Sequence, residues 1–145
     1  MNSDNTLVYN YMRLSPVFIY EDDTLFNAVK AMEKFSIDSI SIIKKDFSII
    51  GNIDQTRINK ILKTKFQDNI DLVKDAKIKD TITKSNFPVV LYPKMKISSA
   101  YSAMKCLKIK CLPVVSAPWE KKIVGFLWLD DISPIVEKRY LKIPV

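Results

Sequence analysis

The sequence lacks histidine entirely, and its 145 residues include only two cysteines and two glycines. Without histidine, the chain has no copy of the side chain that most often acts as a general base or binds zinc. The two cysteines, Cys106 and Cys111, are too few for a disulfide framework, and their spacing fits no metal motif. The chain also has no phosphate-binding loop and no nucleophile motif. These absences argue against an enzyme, a metal site and a required cofactor.

Long hydrophobic runs are missing as well. The run from Ile123 to Leu129 has seven residues and is broken by Gly125, whereas a membrane-spanning helix needs roughly 20. The first residues, Met-Asn-Ser-Asp, supply neither the basic nor the apolar part of a signal peptide. We therefore expect no membrane segment and a cytoplasmic protein.

Positive charge is in excess, with a formal net charge of +7 and a pI of about 9.3. Such a balance attracts anions, including nucleotides, nucleic acids and acidic surfaces. The lysines are spread along the chain, however, which favours a solvated lysine-rich surface over a nucleic-acid patch. Clustering of the lysines on one face would favour nucleic-acid binding instead.

An apolar stripe at helical spacing occurs twice. The first copy consists of Leu25, Ala28, Val29, Met32 and Phe35. The second copy lies 72 residues later and consists of Ile97, Ala100, Tyr101, Met104 and Leu107. Each stripe has the i, i+3, i+4, i+7 pattern of an amphipathic helix. The chain is therefore built from two copies of one unit.

The sequences that flank the stripes also correspond. Pro16 and Pro88 each open a β-prone run, Val17 to Tyr20 in the first copy and Val89 to Tyr92 in the second. The two glycines, Gly51 and Gly125, are equivalent at an offset of 74. Glycine is required where φ is positive or where another group closely approaches the backbone. We expect one of these reasons to apply at both positions.

Each copy is predicted to form a strand, a helix, a strand, a turn, a strand and a closing helix. Paired strands are predicted over 39–43 with 48–53, and over 112–115 with 123–129. The closing helices are expected to begin near Gln55 and near Asp131. Asp22, Asp23 or Thr24 can cap the first helix of the first copy, and Ser98 or Ser99 lies near the start of the corresponding helix in the second.

The predicted fold class is α/β (α+β), with two pseudo-symmetric β-α-β-β-α repeats packed through their sheets. The first repeat covers residues 7–62, a connecting segment covers 63–77, and the second repeat covers 78–138. A repeat of this size buries too little surface to be stable alone. Two repeats packed face to face would bury their sheets and leave a cleft between them.

The order of these motifs resembles the CBS domain, and the tandem resembles a Bateman module. The second copy carries the closer match, in Leu112-Pro113-Val114-Val115 and in Ile123-Val124-Gly125-Phe126-Leu127-Trp128-Leu129-Asp130-Asp131. In the first copy, Ser41 replaces the proline and Arg57 replaces the closing aspartate. The resemblance implies a regulatory module that binds an adenosine-containing ligand, forms a homodimer and is not an enzyme.

The resemblance places one ligand site around Asp131, whose carboxylate would accept hydrogen bonds from the ribose hydroxyls. The alternative for Asp131 is a helix N-cap. Trp128 replaces the hydroxyl that holds phosphate, and either stacks on a base or packs. The ammonium group of Lys110 would hold a phosphate. The alternative is that Lys110 is a solvent-exposed lysine with no role in binding. The other expected site residues are Phe126 from the same copy and Ser15, Tyr20, Ile37, Asp38 and Ser39 from the first.

A second, weaker site is implied around Asp54 and Arg57. Asp54 stands at the hydroxyl position and would repel a phosphate, while Arg57 stands at the ribose position and could hold a phosphate instead. Its other walls would be Phe87, Tyr92 and Ile109. We expect this half-site to be lost or altered, because its chemistry departs from the family pattern.

The leading functional hypothesis is a regulatory CBS pair that binds AMP, ADP, ATP or S-adenosylmethionine in one cleft between the repeats. It would act on an unidentified protein target, with nucleic acid an unfavoured partner. The alternative is an interaction or dimerisation module whose clefts are filled by its own side chains. Room in the clefts beside Trp128, Phe87 and Tyr92 would discriminate between the two.

Overall fold

The structure of the protein is a computed structural model, and it describes residues 6–14, 17–65, 69, 74–81 and 89–140. These ranges contain both helices and strands, in small sheets, which confirms the α/β (α+β) fold class. After a 3-10 turn at Val8–Asn10, the first elements are β1 (Phe18–Tyr20), α1 (Leu25–Phe35), β2 (Ser39–Ile43), β3 (Ile49–Asp54) and α2 (Gln55–Lys65). They are followed by α3 (Ile78–Thr81), α4 (Ile97–Leu107), β4 (Cys111–Val115), β5 (Ile123–Trp128) and α5 (Leu129–Tyr140). Among the described residues, no helix has both the length and the apolar character to cross a membrane.

The chain divides into two compact units. One contains 17–89, and the other combines the leading residues up to 16 with 90–145. The first unit has a sheet of order β1-β2-β3, in which β1 and β2 are parallel and β2 and β3 are antiparallel. The second unit has the antiparallel pair β4-β5. A bulge interrupts both antiparallel pairs at equivalent places, after Ile42 and after Val114.

The strand expected over Val89–Tyr92 is reduced to a single bridge, between Leu91 and Val114. Leu91 N–H donates to the Pro113 carbonyl at 2.9 Å, and Val115 N–H donates to the Leu91 carbonyl at 2.9 Å. The next donor of a parallel ladder would be the amide of residue 113. Because proline has no N–H, the ladder stops there. On the other side the donor would be residue 93, which is also proline, whereas its counterpart Glu21 donates to the Ile43 carbonyl at 3.0 Å. In the first repeat Ser41 stands at the position of Pro113, and β1 pairs with β2.

The two predicted helix stripes are confirmed, since α1 and α4 span them from end to end. Their most buried members are equivalent: Leu25, Ala28 and Met32 in α1, and Ile97, Ala100 and Met104 in α4. Both helices end on a residue with positive φ, Ser36 at 53° and Lys108 at 58°, 72 positions apart. Left-handed backbone closes a helix, but it is strained for residues other than glycine.

The predicted helix starts are confirmed in part. Thr24 caps α1, because its hydroxyl oxygen accepts from Asn27 N–H at 3.1 Å. In α4 the cap position is Lys96, which makes no side-chain capping hydrogen bond, so neither Ser98 nor Ser99 is the cap. The last helix begins at Leu129, two residues before Asp131, so Pro134 lies inside the helix beyond its first turn.

Residues 6–14 and residues 74–81 are the leading segments of the first and second repeats. Each leading segment is hydrogen-bonded to the backbone at the start of the first helix of the other repeat. Val8 N–H donates to the Met95 carbonyl, and Ile97 N–H donates to the Thr6 carbonyl, at 2.8 and 3.0 Å. The equivalent bonds of the other unit run from Ile78 to Asp23 and from Leu25 to Ala76, at 2.9 and 2.8 Å. The compact units therefore differ from the linear repeats 7–62 and 78–138, because each leading segment is held by the other repeat's backbone. The linear repeat boundaries stay a prediction.

Candidate ligand site at the start of helix α5

Asp131, in the first turn of α5, forms a two-pronged ion pair with Arg13. Arg13 Nε donates to Asp131 Oδ2 at 2.6 Å, and Arg13 Nη2 donates to Oδ1 at 2.5 Å. The hydrogen bond and the charge of the carboxylate raise the pKa of the Arg13 guanidinium. The Arg13 side chain is 54% exposed and the Asp131 side chain 23%, so the pair lies at the protein surface with its carboxylate partly covered.

Arg13 is held in place by its backbone. Arg13 N–H donates to the Phe126 carbonyl at 2.7 Å, and Phe126 N–H donates to the Arg13 carbonyl at 2.8 Å. The neighbouring Gly125 permits this approach, because a Cβ at that position would lie 2.9 Å from Met12 Sδ and 3.1 Å from the Arg13 carbonyl oxygen. Among the described residues no glycine has a positive φ. Close approach, rather than backbone freedom, is therefore the reason for glycine at 125.

Trp128 borders the ion pair. The Arg13 guanidinium carbon lies 6.0 Å from the centroid of the Trp128 ring, at the outer limit of a cation–π contact. Trp128 is half-buried, and it pairs across the β4-β5 ladder with Cys111. Burial raises the pKa of the Cys111 thiol to about 12, against a smaller opposing effect of the Arg13 charge. An aromatic ring, a guanidinium and a carboxylate thus meet at the start of α5.

Lys110 and Asp38 occupy equivalent positions, and the backbone carbonyl of each accepts a hydrogen bond from the closing helix of its repeat. Leu129 N–H donates to the Lys110 carbonyl at 2.8 Å, and Gln55 N–H donates to the Asp38 carbonyl at 2.9 Å. Each bond joins the residue before a central strand to the first residue of the closing helix. Both side chains are exposed. The Lys110 ammonium is therefore free to reach solvent or an anion near α5.

Asp54 is the N-cap of α2, since its Oδ1 accepts from Arg57 N–H at 2.7 Å. In α5 the cap position belongs to Trp128, and Asp131 is the third helical residue. The N-cap alternative considered for Asp131 is therefore wrong, because the helix begins earlier and the carboxylate pairs with Arg13. Arg57, the counterpart of Asp131, is half-buried in the first turn of α2.

The expected site residues of the first repeat do not all lie together. Ser39 pairs with Asp54 at one end of β2, with Asp38 and the buried Ile37 just before it. Tyr20 pairs with Ile43 at the opposite end of β2, about 13 Å along the strand at 3.3 Å per residue. Tyr20 lines a separate open depression of about 490 Å³ with Asp22, Asp23 and Lys45. The sheet register is thus what separates Tyr20 from the others.

The second repeat repeats this arrangement. Ile109 directly precedes Lys110 at the start of β4, whereas Tyr92 follows Leu91, whose carbonyl bonds to Val115 at the end of β4. Both side chains are half-buried. Phe126 is only 2% exposed, so its side chain belongs to the core. Its backbone contributes to the site because it forms the two hydrogen bonds that hold Arg13. Ser15 and Phe87 lie outside the described residues.

Arg13 is the site residue that sequence reasoning missed. The repeat gave no signal for it, because position 83, its counterpart at the offset of 70, is threonine. In a chain with 23 lysines and arginines, one further basic residue carries little information. The available clue was Gly125, since a glycine inside a strand predicts a closely approaching backbone.

Comparison with known proteins gives a family-model match over residues 8–64. This range matches the family model of the CBS domain. The chain is 24% identical, over 91% of its length and 92% of the other's, to an uncharacterised protein of Methanocaldococcus jannaschii. It is 23% identical to the inosine-5′-monophosphate dehydrogenase of the same organism, over 90% of this chain. The chain spans only 22% of that enzyme's length.

Solved structures share the fold at low sequence identity. One is the CBS domain pair of protein MJ0100 in complex with 5′-methylthioadenosine and S-adenosyl-L-methionine, with a TM-score of 0.66 and 19% identity. The match covers 92% of this chain and 98% of that one. Another is CBSX2 in complex with AMP, with a TM-score of 0.67, 16% identity, and coverage of 93% and 98%. These similarities show that the chain has the fold of a CBS domain pair.

Proposed function

We propose that this chain is a CBS-domain protein and a regulatory module that binds an adenosine-containing ligand at Asp131. The observation that carries the proposal is the partly covered Asp131 carboxylate in the first turn of α5, at the position where the family has its ribose-binding aspartate. In the first repeat the same position is Arg57. The second repeat alone keeps the acceptor that a ribose diol requires.

The ion pair with Arg13 leaves Asp131 able to bind a diol. Each carboxylate oxygen has two lone pairs, and the Arg13 pair occupies one on each oxygen. The remaining lone pairs can accept the 2′- and 3′-hydroxyl protons. The guanidinium also orients the carboxylate before the ligand arrives, which lowers the ordering cost of binding.

The comparisons support the ligand class. The MJ0100 pair binds 5′-methylthioadenosine and S-adenosyl-L-methionine, and CBSX2 binds AMP. These ligands share adenosine and differ in the group at the 5′ carbon. We therefore take AMP, ADP, ATP and S-adenosylmethionine as the ligands to test first.

The rest of the function is regulatory in this proposal. The module works in the cytoplasm as a homodimer and is not an enzyme. It modulates a protein target according to whether the ligand is bound. Light scattering coupled to size-exclusion chromatography tests the dimer, with a mass near twice 16.7 kDa expected. A mass near 16.7 kDa would show a monomer and contradict the proposed dimer. The proposed ligand binding would not be affected.

A thermal-unfolding panel tests ligand binding. A ligand that binds only the folded state stabilises it by about 2.7 kcal/mol at 100 times Kd. We expect AMP, ADP, ATP or S-adenosylmethionine to raise the Tm of the wild type and of the matched variant Arg57→Ala. Asp131→Ala should remove the rise. No rise with any of these ligands at millimolar concentration would reject the proposal.

A second candidate function is an interaction or dimerisation module without a nucleotide. Trp128 favours it, because a half-buried indole stands where the family places a compact hydroxyl. An indole cannot hold a phosphate as a hydroxyl does, but it is typical of the centre of a protein interface. If the thermal panel shows no ligand, a changed oligomer mass for Trp128→Ala would support this candidate.

A further inference from the structure

We propose that Arg13 makes the Asp131 site select adenosine ligands that carry a negatively charged 5′ group over neutral or cationic ones. This inference rests on the proposed function, because it concerns the specificity of the same site. It assigns a role in ligand choice to a residue outside the recognised motif. The determinant comes from the leading segment of the chain, which the backbone of Phe126 holds beside β5.

The charges around α5 make such a determinant necessary. Asp130 and Asp131 both lie in the first turn of the helix. Two carboxylates repel a phosphate and attract a sulfonium or ammonium group. Arg13 neutralises Asp131 through two charge-assisted hydrogen bonds. With Arg13 present, the ribose acceptor is retained and its repulsion of a nearby phosphate is offset.

The guanidinium also keeps hydrogen-bonding capacity for the ligand. The ion pair engages Nε and Nη2, which leaves the two protons of Nη1 outside the pair. Since the side chain is 54% exposed, Nη1 can donate to a phosphate oxygen. A single guanidinium can therefore hold the ribose-binding carboxylate on one edge and a phosphate on the other.

The position of the guanidinium is well defined for this task. Its backbone makes two hydrogen bonds to Phe126, and its head group is fixed by Asp131 and flanked by the Trp128 ring. A pre-oriented guanidinium loses little freedom when a phosphate binds, so most of the interaction counts toward affinity. Lys110, whose carbonyl accepts from Leu129 N–H and whose side chain is exposed, adds positive charge near the start of α5.

The test compares three ligands on full-length protein by isothermal titration calorimetry: AMP, adenosine and 5′-methylthioadenosine. These share the adenosine group, and only AMP carries a phosphate. In the wild type we expect AMP to bind at least about tenfold more tightly than either neutral ligand, as a charge-assisted hydrogen bond provides. In Arg13→Gln this ratio should fall to about one or below. In Arg13→Lys, which keeps the charge, part of the preference should return.

Lys79→Gln is the matched control. Lys79 lies in the other leading segment and pairs with Asp22 at 2.8 Å, so the variant breaks a comparable surface ion pair in the other unit. It should leave the AMP-to-adenosine ratio unchanged. An unchanged ratio in Arg13→Gln, with both ligands still bound, would overturn the role of Arg13 and leave the proposed function intact. Failure of all three ligands to bind the wild type would overturn the role of Arg13, and the thermal panel with ADP, ATP and S-adenosylmethionine would then decide the proposed function.

Discussion

Met12 lies against Gly125, with its Sδ 2.9 Å from the place that a Cβ on Gly125 would occupy. The Arg13 carbonyl oxygen lies 3.1 Å from the same place. Met12 can move its flexible side chain, but the Arg13 carbonyl belongs to a backbone pair with Phe126. The absence of one side chain at Gly125 thus allows the leading segment to reach the start of α5.

The substitution Gly125→Ala should therefore destabilise the protein. We expect a loss of about 1–3 kcal/mol in the free energy of unfolding, the usual cost of overpacking, measured by urea denaturation. Ser102→Ala, an exposed change on α4, should stay within about 0.5 kcal/mol of the wild type. Equal stabilities of Gly125→Ala and the wild type would mean that the close approach of Arg13 is not required.

Lys108 ends α4 with a φ of 58°, a backbone conformation that costs a residue with a Cβ about 1–2 kcal/mol. Lys108→Gly should remove that strain and raise the free energy of unfolding by about 1 kcal/mol, after allowance for the greater freedom of glycine in the unfolded chain. The same change inside the helix, Lys105→Gly, should lower stability by about 1 kcal/mol. If both variants lose stability, the left-handed end of α4 is not strained in solution.

The two cysteines should differ sharply in reactivity. Cys106 is exposed, whereas Cys111 is buried and its thiol has a pKa of about 12. Because only the thiolate reacts, a chromogenic disulfide reagent at pH 8 should label one cysteine of the folded protein and both after unfolding. Cys106→Ala should abolish the fast reaction. Fast labelling of Cys111 in that variant would contradict its buried position beside Trp128.

The Asp22–Lys79 pair predicts a small loss of stability in acid. The hydrogen bond and charge of Lys79 lower the pKa of Asp22, so the pair stabilises the folded state above the unfolded pKa of about 3.9. That contribution disappears as pH falls through the lower folded pKa. The stability difference between wild type and Asp22→Asn should therefore shrink from pH 6 to pH 2.5, and also in high salt.

Lys79→Gln, which removes the partner of Asp22, is the companion variant. Its stability difference from the wild type should shrink on acidification in the same way. Both partners of the pair are nearly half exposed, at 44% and 45%, so the expected effect is modest. If the stability difference between the wild type and Asp22→Asn grows on acidification, the Asp22–Lys79 pair does not stabilise the folded state as described.

Most of the fold could be predicted because the repeat records it twice. The stripes on α1 and α4 and the paired strands follow from local periodicity and from the offsets of 72 and 74. Of the two glycines, Gly125 shows the expected close approach. The reduced strand near Leu91 was not predicted, because it depends on the missing amide of Pro113 in a pairing between distant segments. The exchange of leading segments is a tertiary arrangement that periodicity does not encode.

The candidate site could be predicted only around Asp131. The motif located that residue and Trp128, but the partner of the carboxylate, Arg13, lies 118 positions away and has no basic counterpart in the other repeat. We expect Tyr20 and Ser39 at one site, and the parallel register places the two at opposite ends of β2. Asp54, expected at the weaker second site, caps α2 with its side chain.

Titration of AMP into ¹⁵N-labelled full-length protein, followed by NMR, tests the central claim most directly. The indole N–H of Trp128, the side-chain Nε–H of Arg13 and the amides of residues 129–131 report on the proposed site. We predict saturable shifts of these signals, absent in Asp131→Ala, with little change at residues 54–57. No saturable shift at millimolar AMP, or shifts confined to residues 54–57, would contradict the account.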